Sequence, residues 1–269
     1  MSSSPAAGPP ILIGGFYRSG TSLLRRLIDG HPNIHCPPEI KLLKDFNGDY
    51  IDDTLAHVRF FRSLRSLGLG EQELLQATGD YYRGLRHAAA GAVGKHRWAD
   101  KDPEHLLHLD QLESIAPGFL LVICLRDPRD VLASLREVVF ALTVPTDDDE
   151  RIRLLARQLA NAAAFQEQFP ERIHKVSYEE LVRDPAQQIR GVLDFVREAG
   201  GADVIEAMLA GVTESARGSG LEDPKGSTRQ GIDTSSVGRW RGELTPAAAT
   251  AVVAATRTQL DRLEYPWAD

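Results

Sequence analysis

Cysteine is scarce in this chain: there are two among 269 residues, Cys36 and Cys124. Two thiols cannot build a disulfide framework, so the fold has to rest on an apolar core, and a reducing, cytoplasmic setting is expected. Long apolar runs are missing as well. No stretch approaches the roughly twenty residues that span a bilayer. The opening MSSSPAAGPP has neither the basic start nor the apolar run of a signal peptide; residues 1–10 read as a disordered, proline-bearing leader. Positive charge is not in excess. Lys and Arg number 31 against 38 Asp and Glu, a net charge of −7, which argues against non-specific nucleic-acid binding but allows a local basic pocket. No His/Cys cluster has metal-ligand spacing, and no metal is expected. The acidic run 147–150 reads as a first helical turn that complements the helix dipole rather than as a metal site.

What is present is an alternation of strands and helices with no internal repeat. Residues 11–13 form a short buried apolar run after Pro10, and residues 119–125 are continuously apolar, suited to the centre of a parallel sheet. A third strand is expected at 172–177. Helices are expected at 21–29, over 50–90 in two pieces (the second at 71–86), at 104–115, from Asp127-Pro128 to about 140, from the acidic run to Phe169, at 185–198 and at 246–263. Residues 213–239, rich in Gly, Ser and Thr, read as a long loop that closes over a ligand. The pattern implies a single α/β domain over 11–269, a P-loop-type parallel sheet flanked by helices.

The segment Gly15-Phe16-Tyr17-Arg18-Ser19-Gly20-Thr21-Ser22 has the spacing GxxxxGTS. It is a Walker A loop with threonine where lysine belongs, set between an apolar strand and an apolar-striped helix. Glycines let successive N–H groups face one phosphate, the helix N-terminus adds its positive end, and Ser19, Thr21 and Ser22 add hydroxyls. The missing lysine weakens a kinase or ATPase reading, and Arg18 is placed to hold a phosphate instead. Arg126, ending the second strand, stands where a Walker B acid is expected, while Asp127 is committed to capping a helix.

With its continuation Asp29-Gly30-His31-Pro32 and His35-Cys36-Pro37-Pro38-Glu39, the loop resembles the 5'-phosphosulfate loop of the sulfotransferases that use 3'-phosphoadenylyl sulfate (PAPS), nearest the tyrosylprotein branch. The resemblance implies PAPS as co-substrate and adenosine 3',5'-bisphosphate as product. It implies a 3'-phosphate site at Arg126 and Ser134, with further contacts from Tyr178, Ser227 and Arg239. One family arginine falls on Val138, which leaves that contact absent or moved to Arg136. Glu39 matches the catalytic glutamate of the tyrosylprotein branch, and Lys101, in Asp100-Lys101-Asp102-Pro103, matches the lysine near the scissile group.

Sulfuryl transfer requires in-line attack, removal of the acceptor's proton and stabilisation of charge on the departing phosphate. Glu39 is the candidate base, with His105 as its rival because the cytosolic family's histidine position is Pro103 here. Arg18 and Lys101 are the candidates to neutralise the leaving group. The acceptor is a small molecule, a carbohydrate or a peptide tyrosine; neither nucleic acid nor membrane is an expected partner. Two other readings stand beside this one: a P-loop kinase or NTPase, and a non-catalytic nucleotide-binding protein.

Overall fold

The structure, a computed structural model, describes residues 8–39, 66–137, 144–214 and 232–267. Five strands, β1 (Ile11–Gly14), β2 (Ile34–His35), β3 (Arg97–Lys101), β4 (Leu120–Leu125) and β5 (Ile173–Ser177), form one sheet in the order β2-β3-β1-β4-β5. Every pairing is parallel; Ile13 sits beside Lys101 on one side and Val122 on the other. The expected parallel sheet flanked by helices is what forms.

Strand alternation splits the core into two layers. Leu12, Trp98, Leu121, Ile123 and Leu125 face one side, where they meet α2 (Glu71–Ala92), α3 (Leu109–Ile115), α4 (Pro128–Arg136), α5 (Asp148–Gln168) and α10 (Pro246–Arg262). Ile11, Ile13, Ala99, Val122, Cys124 and Val176 face the other, under α1 (Thr21–Asp29), α6 (Tyr178–Arg183), α7 (Pro185–Val196) and α8 (Ala202–Glu214). Each fully buried Leu, Ile or Val contributes roughly 1.5–3 kcal/mol, so the central strands hold the sheet through both faces.

From β1 the chain leaves toward β2, and from β4 toward β5, so the connections part at the β1–β4 boundary. In an open parallel sheet the crevice beyond the strand ends at such a boundary receives ligands. The loop leaving β1 enters it almost in contact with β4. A Cβ on Gly15, whose φ is +141°, would lie 2.6 Å from the Cys124 carbonyl oxygen and 2.9 Å from Thr21 Cγ2.

Several expectations need correction. The helix expected over 104–115 is broken at His108 into a 3-10 turn (Pro103–Leu107) and α3, because Asp102 caps Glu104 and the His105 and His108 N–H groups bond three residues back. Strands β2 and β3 were not anticipated. Tyr178 opens a further short helix, α6, immediately after β5, capped by Ser177. The helix after Asp127 ends at Arg136, and residues 138–143 lie outside the described residues. Helix α2 runs on to Ala92, α7 ends at Val196, and α8 lies in a region where no helix was expected.

Two outcomes follow from this packing. Gly15→Ala brings a side chain against backbone at a positive φ and is expected to cost about 1–3 kcal/mol, read as a lower urea midpoint; a wild-type midpoint would contradict the contact. Burial lowers the pKa of His31, His35 and His174. The unfolded chain, with histidines near 6.5, then binds more protons than the native one, and stability falls as pH drops below about 6.5. The melting temperature is expected to be lower at pH 5.5 than at 7.5, with His174→Gln reducing the difference; an undiminished difference in that variant would remove His174 from the account.

Candidate active site

The loop 15–20 is shaped by where it touches other elements. Gly20, the N-cap of α1, has φ +97°, and a Cβ there would stand 2.3 Å from Cδ2 of Tyr178. Arg18 adopts a left-handed φ of +69°, a conformation that costs a non-glycine residue energy and clusters at ligand sites. Beneath the loop, the buried Cys124 thiol donates to the Ser19 carbonyl at 2.9 Å, and burial raises its pKa, so it is a packing group rather than a nucleophile. Ser19 and Thr21 are buried.

The N-terminus of α1 carries no side-chain cap. Helices α4, α5, α6, α7 and α10 are capped by Asp127, Asp147, Ser177, Asp184 and Thr245. The first N–H groups of α1 have no intrahelical acceptor. Together with the helix dipole they have the chemistry that suits an anion.

Arg126, Ser134, Arg18 and Tyr178 are brought together. Arg126 donates through Nη1 to the Arg18 carbonyl (2.7 Å) and through Nη2 to the Ser236 carbonyl (2.5 Å). Its guanidinium lies 4.4 Å over the Tyr178 ring, which itself packs on Gly20. Arg18 Nε donates to Ser134 Oγ at 2.9 Å. The two arginines expected at opposite phosphates are therefore neighbours, and Ser134 is bonded to Arg18 rather than to Arg126. Behind them, Glu179 accepts from the Asp127 N–H and from Ser177 Oγ, both at 2.9 Å, which fixes the strand end that carries Arg126.

Lys101 and Glu39 form a buried ion pair, and Lys101 Nζ also donates to Ser22 Oγ at 3.3 Å. The candidate lysine, the candidate base and the first turn of α1 thus meet at one point. Glu39 reaches it because the preceding segment is pinned: Asp29 accepts from the Cys36 N–H (2.8 Å), and Arg25 donates to the Cys36 carbonyl (2.9 Å). His31 adds a bond to the Ala199 carbonyl (3.0 Å).

His105 is placed elsewhere. Asp100 and Lys101 alternate across β3, so Asp100 faces the α2 side with Arg86, Tyr82 and His105. His105 Nε2 is 3.2 Å from Asp100 and buried. Tyr17, inside the loop, is hydrogen-bonded to Glu104 on that same side.

Arg239 is paired with Glu137, which follows the end of α4, and with Glu243. Arg136 is bonded to Asp148 (2.9 Å through Nε). Ser227 and Val138 lie outside the described residues. Sequence reasoning gave no role to Asp29, whose carboxylate accepts from Cys36 N–H seven residues on, or to Asp130 and Glu179, whose carboxylates accept from main-chain N–H groups of distant segments. No local spacing signals such contacts. Among the described residues no group of three or more His, Cys, Asp or Glu could hold a metal ion, and no helix is long and apolar enough to cross a membrane.

The chain has similar proteins among known sequences and solved structures. A putative protein-tyrosine sulfotransferase of Caenorhabditis briggsae is 26% identical over 195 residues, covering 69% of this chain and 64% of that protein. The nodulation protein NoeE of Sinorhizobium fredii is 28% identical over 253 residues, covering 86% and 59%. The chain therefore spans about six-tenths of the length of these curated relatives. Among solved structures, the sulfotransferase domain of the Synechococcus PCC 7002 olefin synthase superposes with a TM-score of 0.69 at 22% identity, covering 98% of each chain. Mouse SULT7A1 in complex with PAP gives 0.55 at 12%, covering 98% of this chain and 91% of that one. At these identities the structures show a shared fold. The model of the sulfotransferase family matches residues 9–199, well over half of the chain, and the protein belongs to that family.

Proposed function

We propose that the protein transfers a sulfuryl group from PAPS to an acceptor hydroxyl, with Glu39 as the base. The observation that carries this reading is the meeting of Glu39, Lys101 and Ser22 at the uncapped N-terminus of α1.

The residues present fit a nucleotide with two separated phosphates. The open N–H groups of α1, with Ser22 and Lys101, suit the 5' side. At the other side, Arg126 Nε is buried with no hydrogen-bond partner among the described residues, a donor aimed for an acceptor that a 3'-phosphate supplies. The mouse relative's complex with PAP supports the same choice of ligand. PAPS brings sulfur already activated as a phosphosulfate anhydride, so the chain's own work is positioning and charge.

Glu39 accepts the proton of the attacking hydroxyl. Lys101 has three donors, so it can hold Glu39 and the charge growing on the 5'-phosphate together. Arg18 and the α1 N–H groups share that charge. His105 does not compete, because it is buried against Asp100 on the opposite face of β3. A kinase or NTPase reading finds threonine at position 21, arginine at 126 and Asp127 held as a helix cap by its bonds to Arg129.

The acceptor is a hydroxyl of a small molecule, carbohydrate or tyrosine; relatives named as protein-tyrosine sulfotransferases keep tyrosine among them. Two buried unpaired thiols, Cys36 and Cys124, suit a cytoplasmic location. Cys36, whose pKa burial pushes up to about 12, stays protonated and inert there.

Glu39→Gln is expected to lower transfer by about 10²-fold or more without weakening adenosine 3',5'-bisphosphate, since Lys101 loses only its counter-charge. Arg126→Ala is expected to weaken that ligand about ten- to hundredfold, as loss of a charged hydrogen bond implies. Calorimetry and a radiolabelled sulfation assay on both variants check this. Full transfer activity in Glu39→Gln would remove it as the base, and unchanged affinity in Arg126→Ala would remove the 3'-phosphate site.

A further inference from the structure

We propose that Asp130 is the positioning residue that makes the site selective for a 3'-phosphorylated nucleotide, by clamping residues 236–240 onto the first turn of α4. This rests on the reading of Arg126 as the 3'-phosphate ligand.

Asp130 is wholly buried, one turn beyond Arg126. Its two oxygens are occupied by main-chain donors from a distant segment: Oδ2 accepts from Gly238 N–H at 2.7 Å and Oδ1 from Trp240 N–H at 3.0 Å. A buried carboxylate bonded in this way is held by charge-assisted hydrogen bonds. It also supplies, from another part of the chain, the acceptor missing at the start of the short helix α9 (Trp240–Glu243), whose N-cap Arg239 makes no side-chain cap bond.

Arg129 on the first turn of α4 and Arg126 just ahead of it grip this segment at two more points. Arg129, fixed in a bidentate pair with Asp127, lies 4.1 Å over the Trp240 ring. Arg126 donates to the Ser236 carbonyl. That bond and the one to the Arg18 carbonyl set the plane of the Arg126 guanidinium and leave its Nε buried without a hydrogen-bond partner among the described residues. Asp130 therefore acts on Arg126 through the backbone of 236–238. Among the described residues its hydrogen bonds go to Gly238 and Trp240, so its influence falls on the 3' side of the ligand.

The test is calorimetry of wild type and Asp130→Asn with adenosine 3',5'-bisphosphate and with adenosine 5'-monophosphate. An amide presents one acceptor and one donor where two acceptors are needed. The expected result is that wild type prefers the bisphosphate, and that the variant loses about tenfold of this preference while binding of the monophosphate stays the same. A preference retained in Asp130→Asn, or an equal loss for both ligands, overturns the proposal; the second pattern marks a merely structural residue. A wild-type chain with no preference overturns it too, by removing the 3'-phosphate site on which it rests. If Asp130→Asn fails to fold, Gly238→Ala disturbs the clamp from the other side. Gly238 has φ +75°, and the same selective loss is expected there.

Discussion

The close approach of the β1 loop to its neighbours is the constraint on which the site depends. Gly15 lies against the Cys124 carbonyl of β4, and Gly20 against the ring of Tyr178; a side chain at either position would push the loop outward. That contact places the Arg18 carbonyl within reach of Arg126 and keeps the first turn of α1 facing the crevice. Arg126, Tyr178 and the loop then brace one another. A donor with phosphates at both ends would meet two prepared surfaces instead of having to assemble them.

Opposite this, the Lys101–Glu39 pair, to which we assign the chemistry, carries a burial cost. Two charges taken out of water are tolerated only when they are paired and hydrogen-bonded, and here Ser22 helps to meet that condition. The pins from Asp29 and Arg25 to Cys36 matter for the same reason. They bring a carboxylate from the β2 connection to a lysine on β3, although the two residues are distant in sequence.

Much of the fold and of the donor loop could be read in the sequence, because β1, β4 and α1 are apolar runs with ordinary punctuation and the loop's glycines sit at fixed offsets. Strand β3 could not. Its residues Arg97, Asp100 and Lys101 look like a surface segment, yet all are buried, with Arg97 bonded to the carbonyls of Pro9 and Val196 and Asp100 to Arg86. Polar residues whose partners are far away in sequence defeat any local pattern. At Arg239 the partners are Glu137 and Glu243, and both Arg129 and Arg241 lie over the Trp240 ring, contacts that no local pattern announces. The break at His108 is similar, since Asp102 and Pro103 start a 3-10 turn that the apolar spacing of 104–115 conceals.

The central claim is that this crevice holds a nucleotide with a 5' and a 3' phosphate, not a triphosphate with magnesium. Calorimetry of the wild-type chain with adenosine 3',5'-bisphosphate and, separately, with magnesium ATP tests it most directly. The account predicts saturable binding of the bisphosphate and weak or absent binding of magnesium ATP. Tight magnesium ATP binding with no response to the bisphosphate would contradict it.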